Sequence, residues 1–277
     1  MAATRFFLML DLECTRVSAE AYLNGIPVAR VDQSARQTPR IFRPIHEYVV
    51  PGATNTLTLA VAHGSRPSNS LESRGLCQAP SEANVRLAVS ILPEGAYYDD
   101  PGVRQVSEIR WQTPAGPGFA APVILTQPVD IPNLGYGHAK RTWAEGAVIA
   151  PANLRDDITP VLRYLRDSLA KGDPEKYIEM AQPRFQDIAT AYGRPAGEIV
   201  NELREQVRRV HGEGDFDLEE IRADNMDPRL CAGGRLVECV DANWLPTLRT
   251  KPLSTGSMRL RFSTFLANIG GQWRIVL

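Results

Sequence analysis

The residues that could do chemistry in this chain are few and scattered. The four histidines, His46, His63, His138 and His211, are far apart, and none has a ligand spacing such as H-x-x-x-H. The spacing argues against a metal site, and no cofactor is expected. Asp99 and Asp100 sit beside Tyr97 and Tyr98 in a polar loop; they suit calcium or a partner, and a solvated turn is the simpler expectation. The run Asn133 to Arg141 (NLGYGHAKR) combines glycines with basic residues, but it neither follows a clear strand nor opens a helix, as a phosphate cradle requires. No G-x-S-x-G occurs, and no cysteine sits in a nucleophile motif.

The four cysteines, Cys14, Cys77, Cys231 and Cys239, lack C-x-x-C spacing and are expected to be small buried hydrophobes. Cys231 and Cys239 flank Gly233-Gly234, so a cross-strand disulfide between them is an open alternative. The aromatic residues Tyr164, Tyr177, Phe185, Tyr192, Trp244 and Trp273 could line the mouth of a cavity in the C-terminal half. Core packing is the competing expectation.

The elements that must position these groups divide the chain. A helical middle runs from Asn153 to His211. Leu154, Ile158, Val161, Leu162, Leu165 and Leu169 recur at steps of three and four, which puts one apolar stripe on a helix. Asn153 is a candidate N-cap, Asp156 and Asp157 suit the first turn, and Gly172 suits the exit. Asp173-Pro174 opens a second helix, which Pro183 should end or kink. Phe185, Ile188, Ala189 and Tyr192 continue a helical period. A last helix from about Pro195 carries Ile199, Leu203, Val207 and Val210 on one face. Its other face, with Glu202, Arg204, Glu205, Arg208 and Arg209, reads as solvated.

Before the helices the pattern is β throughout. Phe6–Glu13 predicts a strand, and Asn24-Gly25 between two apolar runs predicts a type I′ hairpin. Pro39 and Pro44 break the chain, and Pro51-Gly52 marks a turn. Alternation at Leu57, Leu59 and Val61, and again from Val85 to Ile91, predicts half-buried strands. Residues 64–82 read as a long loop. Val106–Trp111, Val123–Val129 and Trp143–Ala150 are further strand candidates. After the helices, strands are expected over Asp217–Met226, Leu236–Asp241, a long stretch from Met258 to Leu266, and Gln272–Leu277.

The fold class expected is α+β: an N-terminal antiparallel β-sandwich, jelly-roll-like, over residues 1–150, followed by a domain of helices and a curled sheet over 151–277. The length, 277 residues, suits two such domains. A formal net charge of −1 and an apolar fraction of 43% offer no field for nucleic acid or an anionic membrane. The apolar run Phe6–Leu10 is too short for a signal segment, and nothing approaches a membrane span. A cytoplasmic protein is therefore expected.

Two resemblances sharpen the expectation. LNGIPVARV followed by YVVPGATNTLTLAV, within Glu20 to Ala62, resembles the galactose-binding-like β-sandwich, where a strand reaches an Asn-Gly turn and a later strand follows Pro-Gly-x-x-Asn. LRYLRDSLAKGDPEKYIEM, Leu162 to Met180, with the closing GGQWRIVL, resembles the NTF2-like (SnoaL-like, cystatin-like) cone fold. Enzymes of that family place an Asp–His or Tyr–Asp pair in the cone, and the single histidine of this half, His211, lies in a glycine-rich helix exit. No catalytic residue carries over. The expected function is a non-enzymatic binding protein, an accessory protein of bacterial type that engages another protein as adaptor or cognate inhibitor. The alternatives are an enzyme or small-ligand receptor using a pocket in the C-terminal cone, with Tyr164, Tyr177, Phe185, Tyr192 and Trp244 lining it, and a carbohydrate-binding module. Phe265, expected on an exposed sheet face, leaves room for a homodimer.

Overall fold

The computed structural model describes residues 5–31, 39–62, 75–77 (backbone), 82–116, 118–132, 134, 140–214, 216–241, 243–252 and 260–277. His63, His138, most of the loop expected over 64–82, most of NLGYGHAKR, Met258 and the side chain of Cys77 lie outside these residues. The chain is mixed α+β and groups into two compact units, residues 1–138 and 139–277.

The first unit is all β. Its strands are β1 (Phe6–Thr15), β2 (Ser18–Leu23), β3 (Ile26–Val31), β4 (Arg40–Pro44), β5 (Asn55–Ala62), β6 (Gly75–Cys77), β7 (Asn84–Pro93), β8 (Arg104–Gln112), β9 (Phe119–Ala121) and β10 (Val123–Val129). Two four-stranded antiparallel sheets, ordered β4-β1-β7-β8 and β10-β5-β2-β3, form a β-sandwich, and β6 pairs with β9. Strand periodicity sets the inward face. Leu8, Leu10, Leu12 and Cys14 of β1 are buried on one side beside Val85, Leu87 and Val89 of β7. Every residue of β2 is buried, including Glu20, whose charge is met by Arg30 at 2.5 Å across the β2–β3 pair and by the Tyr22 hydroxyl. Without such partners a buried carboxylate would be strongly destabilising.

Asn24 and Gly25 both adopt positive φ, 54° and 73°, as a type I′ turn requires. The Asn24 side chain does more than turn the chain. Its amide donates to Asn55 Oδ1 (2.7 Å) and to the Tyr48 carbonyl (2.9 Å), and its Oδ1 accepts the Thr56 N–H (3.0 Å). Asn55, itself buried, accepts the Val50 N–H (2.8 Å) and donates to the Val50 and Ala53 carbonyls, closing the Pro51-Gly52 turn from inside.

The second unit comprises α1 (Leu154–Leu169), α2 (Glu175–Met180), α3 (Gln182–Tyr192), α4 (Ala196–Gly212), β11 (Arg229–Cys231), β12 (Leu236–Glu238), β13 (Phe265–Ile269) and β14 (Gln272–Ile275). The strands form one antiparallel sheet, β11-β12-β13-β14. Helices and sheet share one core, which takes in Ile158, Leu162 and Leu165 of α1 together with Tyr177, Phe185, Val207, Leu266 and Ile275. Gly172 takes φ +74°, and a Cβ there would lie 2.8 Å from His211 Cγ, so glycine serves both the turn and the close approach of α4. Asp173 Oδ1 accepts the Glu175 N–H (3.0 Å) and starts α2. The helix breaks at Ala181, and Pro183 sits in the first turn of α3, where its missing N–H costs nothing.

Several expectations are corrected. Asn153 precedes α1 but in a left-handed conformation with no side-chain cap bond. Trp143–Ala150 is not a strand; Thr142–Glu145 is a 3-10 turn that buries Trp143, and Ala147 and Ile149 donate to the Asn268 and Gly234 carbonyls of the same unit. Asp217–Met226 holds only isolated bridges and a 3-10 turn, and its apolar Leu218, Ile221 and Met226 join the core shared by the helices and the sheet. The stretch before Phe265 likewise makes one isolated bridge, Arg249–Arg261, and β13 begins at Phe265. Phe265 is 9% exposed, which removes the exposed face on which a homodimer was expected. Cys231 and Cys239 are free thiols that face the Arg229 and Val237 carbonyls. Strand β6 lies inside the expected long loop. Among the described residues no helix is long and apolar enough to cross a membrane.

Asn55→Ala should lower unfolding free energy by about 2–3 kcal/mol, since it strands several buried partners at once. Urea denaturation measures it, and a loss below about 0.5 kcal/mol would contradict the network.

Candidate functional site

In the second unit, helix breaks at residues 170–174 and 181 aim side chains from three helices at one point. Tyr177 comes from α2, Arg184 and Phe185 from α3, and Glu202, Leu203 and Gln206 from α4. The segment entering β13 adds Arg261, Phe262 and Ser263, and together they surround a cavity of about 230 Å³. Tyr177 and Phe262 meet edge to face, ring centroids 5.5 Å apart, and the Tyr177 hydroxyl donates to the Ser263 carbonyl (2.8 Å). Burial pushes the Tyr177 phenol up, and the nearby Arg184 charge opposes that shift.

The charged lining is unevenly satisfied. Glu202 is tied to Arg194 at 2.5 Å. The Arg184 guanidinium lies 5.6 Å over the Phe185 ring, and its Nε is enclosed without a hydrogen-bond partner. An unmade bond of that kind costs about 1–3 kcal/mol. Arg261 is exposed and forms no ion pair among the described residues. A larger open groove, about 670 Å³, runs past Glu175, Ile178, Gln182, Arg204 and Arg274; Arg204 grips Glu175 through two bonds of 2.7 Å, and Arg274 donates to the neutral Gln272 amide (2.6 Å).

Of the aromatic residues expected to line a cavity, Tyr177 and Phe185 do so. Tyr164 is 53% exposed on α1, and Tyr192 is half-buried at the end of α3. Trp244 is buried elsewhere, held at φ 61° with the Arg229 guanidinium 4.1 Å above its ring. Arg229 in turn faces Glu238 (3.6 Å), and nearby Arg249 bonds Asp241 (2.7 Å), whose other oxygen accepts the Asn243 and Leu245 N–H groups. Trp244 thus serves a buried ion-pair network. Arg184, Gln206 and Arg261 were not anticipated. Arg184 sits directly before Phe185 in the chain, and that adjacency was the one available signal.

Most other reactive groups have partners within the fold. His46 accepts the Leu8 N–H at Nε2 (2.6 Å) and packs against Phe7. His211 packs against Phe216. Asp187 is raised by burial, offset by bonds from the Thr142 N–H (2.8 Å) and hydroxyl (3.0 Å). Burial pushes the Cys14 thiol up to about 12 and the Cys239 thiol well above its ordinary range. No cluster of three His, Cys, Asp or Glu suited to a metal occurs among the described residues.

In the first unit, the outward face of β4-β1-β7-β8 carries an ion ladder across all four strands. Arg40 holds Asp11 through two bonds (2.6 and 2.9 Å), Asp11 meets Arg86 (2.7 Å), Arg86 meets Glu108 (2.6 Å), and Glu108 meets Arg110 (2.6 Å). The Arg110 bond, then Arg86, holds the Glu108 carboxyl below the usual carboxylate range. At the β4 edge, Arg40 stacks 4.0 Å from the ring of Tyr98, which meets Phe42 edge to face at 6.2 Å. Phe42 and Tyr98 are 39% and 54% exposed. The neighbouring Asp100 accepts the Tyr97 N–H (2.8 Å), so this acidic pair is part of a turn.

Iodoacetamide at neutral pH should leave Cys14, Cys231 and Cys239 unmodified in the native protein and label all three in urea, read by peptide mass spectrometry. Asp241→Asn should cost about 3–5 kcal/mol by thermal unfolding, because Arg249 would keep a buried charge without its counter-ion; an unchanged midpoint would show that the pair is dispensable.

Comparison with protein-family models, with curated proteins and with solved structures finds no match to this chain.

Proposed function

We propose that this chain is a non-catalytic binding protein, an accessory protein that engages another protein through the outward face of its β4-β1-β7-β8 sheet. The second unit is assigned to the NTF2-like type of scaffold, supported by helices preceding an antiparallel sheet over one core, and the first to the galactose-binding-like type of sandwich, supported by its Asn-Gly and Pro-Gly-x-x-Asn turns. Adaptor or cognate inhibitor are the roles that suit such a pairing.

One observation carries the reading. Arg40 is fixed on both sides, by the Asp11 carboxylate and the Tyr98 ring, while Phe42 and Tyr98 remain exposed beside it. Aromatic and arginine anchors held in place before contact are what binding hot spots are made of, since little side-chain freedom is lost on association. The ion ladder behind them gives a rigid polar rim. A stable complex would extend this patch to about 1,200–2,000 Å² of total buried surface. An exposed aromatic pair on a sandwich also suits a sugar ring, and this is the second reading.

Cross-linking in native lysate, quantified by mass spectrometry, tests the assignment. A specific protein should be captured by the native chain and lost at least roughly tenfold by Phe42→Ala/Tyr98→Ala, since each anchor contributes about 2 kcal/mol, while Tyr164→Ala on the second unit captures it normally. An unchanged capture profile in the double variant would overturn the proposal. Glycan binding abolished by the same variant would transfer the face to the sugar reading.

A further inference from the structure

The cavity between α2, α3, α4 and the segment entering β13 has a chemistry that the sheet-face reading does not use. Among the described arginines most are matched: Arg30 with Glu20, Arg40 and Arg86 with Asp11, Arg194 with Glu202, Arg204 with Glu175, Arg222 with Asp224, Arg249 with Asp241. Arg184 and Arg261 are among the described arginines without an ion pair, as are Arg155, Arg208, Arg209 and Arg274, and it is the cavity they share that singles them out. Arg184 also keeps its enclosed Nε–H without an acceptor. The carboxylate in the lining, Glu202, is already taken by Arg194, so it does not neutralise them. The rest of the lining includes the rings of Tyr177, Phe185 and Phe262 and the side chains of Ile199 and Leu203.

We propose that this cavity binds a small organic carboxylate, with the acid group between Arg184 and Arg261 and an apolar or aromatic body against Tyr177, Phe185 and Phe262. The guanidinium fork matches a carboxylate with two parallel N–H···O bonds, and Arg184 and Arg261 bring two such groups to one cavity. Phe185 carries Arg184 on its face, which holds the fork in position at low entropic cost. A volume of about 230 Å³ lies below the range that drug-sized ligands occupy, so the body is limited to about one ring or a short branched chain. Gln206 and the Ser263 region supply polar edges, and the Tyr177 hydroxyl, spent on the Ser263 carbonyl, leaves its ring as an apolar wall. Binding requires no chemical step.

Isothermal titration of the full chain with benzoate, phenylacetate and isovalerate tests this, with benzyl alcohol as the neutral counterpart and inorganic phosphate as the bare anion. At least one carboxylate should bind saturably at one site, and benzyl alcohol and phosphate should bind at least about tenfold more weakly. Arg261→Gln changes an exposed residue, so the fold should survive, and it should weaken binding roughly 10- to 100-fold, the worth of one charge-assisted bond. Arg184→Gln should do the same, and Arg184→Lys should rescue only part. No saturable binding by any of the three carboxylates, or equal affinity in the Arg184→Gln/Arg261→Gln double variant, would overturn the assignment. Phosphate binding as tightly as the best carboxylate would overturn the role of the aromatic wall. Because Phe42→Ala/Tyr98→Ala leaves this cavity intact, the outcome is independent of the sheet-face test.

Discussion

The side-chain pair Asn24–Asn55 is the constraint on which the first unit hangs. Two turns far apart in sequence are closed by one contact of 2.7 Å. Asn24 also takes the Tyr48 carbonyl, and the Tyr48 hydroxyl accepts from Arg43 of β4, whose other nitrogen donates to the Val28 carbonyl of β3. A strand of one sheet is thereby tied to the other sheet by part-buried polar bonds. With Arg43 engaged on the inner side, strand alternation leaves Arg40 and Phe42 pointing outward. The exposed aromatic and arginine patch is a consequence of how the core of the sandwich is satisfied.

The second unit obeys a different constraint, the placement of its helix breaks. Gly172 lets the chain turn under His211, and Ala181 with Pro183 restarts the helix after Tyr177. Each break rotates the next helix, so that Tyr177, Phe185 and α4 converge instead of forming one continuous stripe. The hydrophobic core takes most of what converges. What remains is a small space whose walls are aromatic and whose edge carries two guanidinium groups, an arrangement that apolar packing alone would have filled.

Buried charge is handled in the same way across both units. Glu20 with Arg30, Asp241 with Arg249, and Asp11 between Arg40 and Arg86 all have partners at hydrogen-bonding distance. Removing such a partner is expensive, whereas the pair itself adds little net stability. These pairs specify which strands and loops meet. Against that background, Arg184 and Arg261 border one cavity, and neither forms an ion pair among the described residues.

Local pattern determined a good deal. The Asn-Gly hairpin, the alternation of β5 and β7, the apolar stripe of α1 and the Gly-Asp-Pro junction are each dictated by neighbours within a few residues, where sterics and periodicity decide. Strand β4, bounded by two prolines, was not visible, because its pairing partner β1 lies far back in the chain and an edge position tolerates proline. Of the regular alternation from Met258 to Leu266, Phe265 and Leu266 belong to β13 and residues 260–264 to no ladder, since a period of two describes any extended chain with one covered side. Tyr177 and Phe185 were legible as aromatic residues on helix faces. That Trp244 belongs to a buried ion pair, and that Arg184 and Arg261 share a cavity, depended on separate segments of the chain coming together. Sequence by itself determined which segments turn, coil and alternate, since those are near-neighbour effects. Only the tertiary structure decided which charges found partners and which were left facing a cavity, because pairing is a matter of distance in space.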